Sequence, residues 1–147
     1  MEKVLLLIED NQRDEELAIR ALRRSNIRNE VIVARDGAEA LDYLFGTGAH
    51  ACRDTADLPT VVLLDIKLPK IGGLEVLRRI RADPRTRLVP VVILTSSKED
   101  EDLLRGYGSG ANSFVRKPIE SAEFCEAMKM LGLYWLTLNE PPPPVGR

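Results

Sequence analysis

Five short apolar runs alternate with five segments of helical periodicity, and this alternation narrows the possible folds more than any other property of the chain. The runs lie in "KVLLLIED", "NEVIVARDG", "TVVLLDI", "LVPVVILTSS" and "ANSFVRKP". Residues 61–64 are apolar without interruption, the mark of a strand covered on both faces. Between the runs, "NQRDEELAIRALRRSN" places Leu17, Ile19, Ala21 and Leu22 on an amphipathic helix that closes near Ser25 and Asn26. "AEALDYLFG" is a short helix stopped by Gly46, and "GGLEVLRRIRADP" repeats Leu74, Leu77 and Ile80 ahead of Pro84. "KEDEDLLRGYG" crowds acids into its first turn, where the helix dipole favours them. "ESAEFCEAMKMLGLYWLTL" reads as a long last helix. Such alternation predicts an α/β fold, a doubly wound five-stranded parallel sheet with right-handed crossovers and helices on both faces.

A chain of 147 residues suits one domain with one core. Residues 1–138 are read as that domain with an extended C-terminal helix, and 139–147 as a proline-rich tail. Prolines 141–144 bar a helix there and favour polyproline II. With 21 basic and 23 acidic residues the net charge is −2, which gives no general attraction to nucleic acid or to an anionic membrane. Cys52 and Cys125 lack metal or redox spacing and are read as thiols. Only residues 4–8 are continuously apolar at the N-terminus, whereas a signal peptide needs about 7–15 such residues and a membrane helix about 20. The expectation is a cytoplasmic protein.

In open α/β sheets, sites lie beyond the carboxyl ends of the strands. Strand one ends in Glu9-Asp10, strand three in Asp65, strand four in Thr95-Ser96 and strand five in Lys117-Pro118. Three carboxylates at one sheet edge resist joint ionisation unless a cation sits among them. Mg²⁺, a hard ion bound by oxygen, suits that need. Acids, a metal, a hydroxyl and a lysine together make a phosphoryl-transfer constellation, in which a carboxylate can serve as nucleophile. One of the three acids is then the nucleophile. If the strand order is 2-1-3-4-5, Asp65 is the best candidate, because it lies between the other acids and the strands carrying Thr95 and Lys117.

On "LLLIEDN", "RDGAEAL", "LLDIKLPKIGGLEVL", "VVILTSS" and "GANSFVRKP", residues 3 to about 130 resemble the receiver domain of two-component response regulators, a flavodoxin-like fold. The resemblance implies a signalling switch rather than an enzyme. It implies phosphorylation at Asp65, Mg²⁺ at Glu9, Asp10, Asp65 and the backbone carbonyl of Lys67, and catalytic roles for Thr95 and Lys117. It further implies switch roles for Thr95 and Phe114 and a cis peptide at Pro118. The first acid is Glu where Asp is commoner, and "GTGAHACRDTADLP" lengthens the stretch between Asp10 and Asp65; neither removes a catalytic part. The long loop and the ending "YWLTL" resemble the single-domain regulators that partner phytochrome-type histidine kinases in bacteria. No further domain is expected after the pattern, and output by protein–protein contact is expected with it.

The alternatives lose on particular residues. A Mg²⁺-dependent phosphatase with Asp65 as nucleophile needs a second acid two residues on, where Lys67 stands. A flavodoxin-type cofactor module needs a small-residue phosphate loop after the first strand, where Glu9-Asp10-Asn11 would repel phosphate. His50 is read as a solvated loop histidine and Tyr107 as a surface or groove aromatic. Arg78, Arg79, Arg81, Arg85 and Arg87 are read as a solvated face. From Met130 to Leu138, seven of nine residues are apolar, leaving no polar face. A helix over residues 120–138 is about 28 Å long, against about 17–20 Å for the strands. Its end is expected to overhang and form a homodimer through Leu133, Tyr134, Trp135, Leu136 and Leu138.

Overall fold

The computed structural model describes residues 3–96, 99–118 and 120–143. Strands β1 (Leu5–Ile8), β2 (Val31–Ala34), β3 (Val61–Leu64), β4 (Val91–Thr95) and β5 (Ser113–Arg116) form one parallel sheet in the order β2-β1-β3-β4-β5, as the sequence predicts. Ile8 lies opposite both Ala34 and Leu64, so the first three strands end level. The crossovers carry α1 (Gln12–Arg24), α2 (Gly37–Phe45), α3 (Gly73–Ala82), α4 (Asp100–Gly108) and, after β5, α5 (Ser121–Leu133).

Alternate side chains of each inner strand serve opposite cores. Leu6, Ile8, Val62, Leu64, Val91 and Ile93 pack against α2 and α3 through Leu44, Val76, Leu77 and Ile80. Leu5, Leu7, Val61, Leu63, Val92 and Leu94 pack against α1 and α5 through Ala18, Leu22, Phe124 and Met128. Two covered faces account for strands without polar alternation. Helix ends follow local chemistry. The Asn11 side chain accepts from the Asp14 N–H, Asp36 caps α2 through the Glu39 N–H, and Gly46 ends α2 at φ 65°.

Two polar readings change. The long loop after α2 begins with a 3₁₀ turn (Gly48–His50) and is tied down by Arg53, whose guanidinium donates to the Tyr43 and Asp57 carbonyls and lies 4.1 Å from the Tyr43 ring centre. His50 packs edge-on against the same ring and is half-buried rather than freely solvated. Arg78 and Arg79 pair with Glu75, and Arg85 with Asp83, on the surface. Arg81 is instead a clamp, donating to the Gly110, Arg87 and Val89 carbonyls and to Asn112 Oδ1. No cis peptide occurs among the described residues, so the Lys117–Pro118 bond is trans, contrary to expectation. The Lys117 N–H bonds the Thr95 carbonyl at 2.7 Å, extending the β4–β5 ladder, and the ordinary trans preference prevails.

The C-terminal segment does not overhang as a block. After α5 the chain widens into a π-helical turn (Tyr134–Leu138), closed by the Asn139 N–H on the Tyr134 carbonyl at 2.6 Å. This turn carries Leu136 into the α1 side of the core at 2% exposure, with Trp135 packed beside it. Leu136 and Trp135 are therefore covered by their own domain, against the sequence expectation. Leu133, Tyr134 and Leu138 stay exposed, Leu138 at 75%. Asn139 leaves the helix at φ −69°, ψ 135°, in the polyproline II range, and residues 141–143 form no regular element. Pro144 and the rest of the expected tail lie outside the described residues.

The fold-back has a measurable signature. Leu136→Ala is expected to cost about 2–5 kcal/mol in urea unfolding, whereas Leu138→Ala stays within about 0.5 kcal/mol. Equal effects would mean that the turn does not enter the core.

Candidate functional site

The level ends of β1 and β3 bring Glu9, Asp10 and Asp65 together. One carboxylate oxygen from each lies within 4.8 Å of the others. Glu9 and Asp65 are buried and Asp10 is exposed. Lys117, immediately after β5, reaches across the sheet end with its side chain only 8% exposed. Its ammonium donates to Glu9 Oε1, to Asp14 Oδ2 at 3.0 Å and to Asp65 Oδ2 at 3.0 Å. Backbone groups hold the other oxygens: the Asn11 N–H donates to Glu9 Oε2 at 3.1 Å and the Lys67 N–H to Asp65 Oδ1 at 3.2 Å.

Asp65 is fixed from behind by the loop that follows it. The Gly73 N–H bonds the Ile66 carbonyl at 2.8 Å, and a Cβ on Gly73 would stand 2.1 Å from the Asp65 carbonyl oxygen. Only glycine permits that approach, which explains the second glycine of "KIGG".

These groups line an open cleft with Asn11, Arg13, Lys67, Ser96 and Pro118. Glu9, Asp10, Asp65, Lys67 and Lys117 thus converge as the sequence predicts. Thr95 is fully buried at the end of β4, and its carbonyl receives the Lys117 N–H. Phe114 lies away from the cleft, half-buried on β5, with its ring 6.4 Å from that of Tyr107. Leu133, Tyr134 and Leu138 take no part in the cleft. Asp14 is absent from the sequence-predicted set. Its signal was the cap: with Asn11 as N-cap, Asp14 occupies the third position of the first turn, and β1 delivers that turn to the cleft.

Three carboxylates share the Lys117 ammonium here, and Asp10 adds a fourth to the cleft. Burial pushes the Glu9 carboxyl up from its ordinary 4.5 to about 7, with the charge of Asp65 adding to the rise; the Lys117 and Asn11 hydrogen bonds oppose it. Burial alone would lower the Lys117 pKa, but the carboxylates of Glu9 and Asp65 outweigh it and hold the ammonium charged. An excess of clustered oxygen donors suits a hard divalent cation, and the Glu9, Asp10 and Asp65 set fits one.

A parallel sheet in this order, with an acidic cluster and a lysine at its carboxyl edge, defines a receiver-type signalling domain. The chain belongs to the response regulator receiver domain family, whose model matches residues 5–129. Response regulator Rcp1 of Synechocystis sp. is 33% identical over 134 residues, 91% of this chain and 89% of its own. The Mn²⁺-bound form of Rcp1 superposes with a TM-score of 0.89 over 96% of this chain and 99% of that one. The phosphorylated cyanobacterial phytochrome response regulator RcpA is 34% identical, with a TM-score of 0.90 over 97% of this chain and all of its own. The bacteriophytochrome response regulator RtBRR is 51% identical, covering 98% of this chain and 86% of its own with a TM-score of 0.76. The chain is thus a response regulator of the two-component type, with a receiver domain over residues 5–129. No described helix is long and apolar enough to cross a membrane.

The raised Glu9 pKa fixes the sign of a stability effect. A folded-state pKa above the ordinary 4.5 contributes stability that is present below that pH and lost as pH rises toward about 7. In chelator, Glu9→Gln is expected to reduce the fall in melting temperature between pH 5 and pH 8 by a few degrees. An undiminished pH dependence would show that Glu9 is not its source.

Proposed function

We propose that Asp65 accepts a phosphoryl group from the phosphohistidine of a phytochrome-type histidine kinase and that the phosphorylated chain signals through protein–protein contacts in the cytoplasm. The observation that carries this is the Asp65 carboxylate held at the cleft by Lys117 at 3.0 Å, within the same oxygen cluster as Glu9 and Asp10. A carboxylate oxygen of Asp65 attacks phosphorus. The new O–P bond forms as the N–P bond breaks, and the leaving imidazole recovers a proton from solvent. Lys117 stabilises the phosphoryl oxygens as negative charge spreads over them. Mg²⁺, held by Glu9, Asp10, Asp65 and the backbone carbonyl of Lys67, would neutralise part of that charge when bound. RcpA is a phytochrome response regulator and RtBRR a bacteriophytochrome response regulator, which supports the kinase class, and the Mn²⁺-bound form of Rcp1 supports the cation site.

Readout follows from the ends of β4 and β5. A phosphoryl oxygen gives the Thr95 hydroxyl a new acceptor, and its inward shift makes room for Phe114, shifting the population toward an inward ring. Lys67 stands where a hydrolase would place its acid/base group, so turnover of external phosphoesters is disfavoured. Asp65→Asn is expected to abolish labelling by a small acyl-phosphate donor while the fold is retained. Thr95→Ala should still be labelled yet leave the Phe114 ring resonances unchanged on phosphorylation. Acid-stable labelling of the Asn variant at the full level, or a wild-type Phe114 response in Thr95→Ala, would refute the respective assignments.

A homodimer through the C-terminal segment also belongs to this reading. It is supported by Met130, Leu133, Tyr134 and Leu138, which stay exposed along the end of α5 and its π turn. Burying each large side chain contributes about 1.5–3 kcal/mol, and several together can offset an association cost of about 4–15 kcal/mol. Light scattering at micromolar concentration is expected to give twice the chain mass, and the double variant Tyr134→Glu with Leu138→Glu the single mass. A wild-type monomer, with and without phosphate, would end the proposal.

A further inference from the structure

Resting on Asp65 as the acceptor, we propose that Asp14 is a positioning residue that keeps Lys117 aimed at the reacting oxygens once the other partners of that lysine are engaged elsewhere. An ammonium has three N–H donors, and those of Lys117 go to Glu9, Asp14 and Asp65. Two of the three acceptors have a second duty. Glu9 and Asp65 belong to the oxygen cluster that suits a cation, and Asp65 is also the nucleophile. Asp14 is outside that cluster, so it alone is free to hold the lysine throughout the reaction.

Its geometry suits the task. The Asp14 N–H is fixed by the Asn11 side chain at 3.1 Å, which sets the first turn of α1 against the cleft. The Asp14 side chain is 18% exposed, enough to accept the ammonium and too little to swing widely into solvent. Lys117 is unbranched and follows a short edge strand, and the acceptors that fix the direction of its Nζ lie on other elements. A charged acceptor on a separate helix supplies that direction.

The test compares wild type, Asp14→Ala, Asp14→Asn and Asp65→Asn with acetyl phosphate as donor and Mg²⁺ titrated. Asp14→Ala is expected to lower the maximal phosphorylation rate about tenfold, the size of one charge-assisted hydrogen bond. The half-saturating Mg²⁺ concentration should stay within about twofold, because Asp14 does not belong to the cation cluster. Asp14→Asn, which keeps an acceptor, should recover most of the rate. The second readout is the Lys117 ammonium resonance in ¹⁵N-lysine protein loaded with Mg²⁺ and beryllofluoride. It should be visible in wild type and Asp14→Asn and exchange-broadened in Asp14→Ala. A wild-type rate with an intact ammonium signal in Asp14→Ala overturns the proposal, and so does a several-fold weaker Mg²⁺ response, which would make Asp14 a cation ligand. Persistent labelling of Asp65→Asn would instead overturn the acceptor assignment.

Discussion

One ammonium shared by three carboxylates is the interaction on which the rest of this structure depends. Lys117 comes from the last strand, Asp65 from the central one, and Glu9 and Asp14 from the first strand and its helix. No two of these elements are adjacent in sequence except the last pair. The lysine therefore ties the carboxyl edge of the sheet together from β1 to β5. The arrangement is strained by design of its chemistry rather than by its backbone: acid outnumbers base, and burial raises the Glu9 pKa. Hydrogen bonds satisfy the oxygens of Glu9 and Asp65, but the charges do not balance. A hard divalent cation suits that excess of negative charge.

The sheet makes this possible because its two faces are already occupied. With α2 and α3 on one side and α1 and α5 on the other, the inner strands carry no polar side chain until they end. Polar chemistry is thereby confined to one edge. The loop after β3 then has to hold Asp65 still, and the contact of Gly73 with the Asp65 carbonyl does so at backbone distance.

What could be read in advance follows from how local each determinant is. The five strands, their order and the convergence of Glu9, Asp10, Asp65 and Lys117 were legible because strand ends in a parallel sheet share one edge by topology. Asp14 was not, since a first-turn acid is commonly explained by the helix dipole; only the cap at Asn11 and the exit direction of β1 turn it toward the lysine. Arg81 read as one of several surface arginines because its carbonyl partners lie in turns between distant elements. The cis peptide expected at Pro118 came from resemblance alone, and no turn here requires it. The C-terminal segment misled for a different reason. An apolar run with no polar face gives no phase, so sequence could not say which of its side chains turn inward.

The π-helical turn supplies that phase, and it does so with a single residue. A helix advances about 100° per residue, so one residue more or less in Tyr134–Leu138 rotates everything beyond it by more than a quarter turn. The wide turn thus acts as an angular offset between the part of the segment that belongs to the domain and the part left facing outward. Among chains of this fold, a one-residue change in length at this point would alter which surface is offered to a partner while leaving the phosphoryl chemistry at the other end of the sheet untouched. The outward face can therefore diverge by insertion and deletion as readily as by substitution.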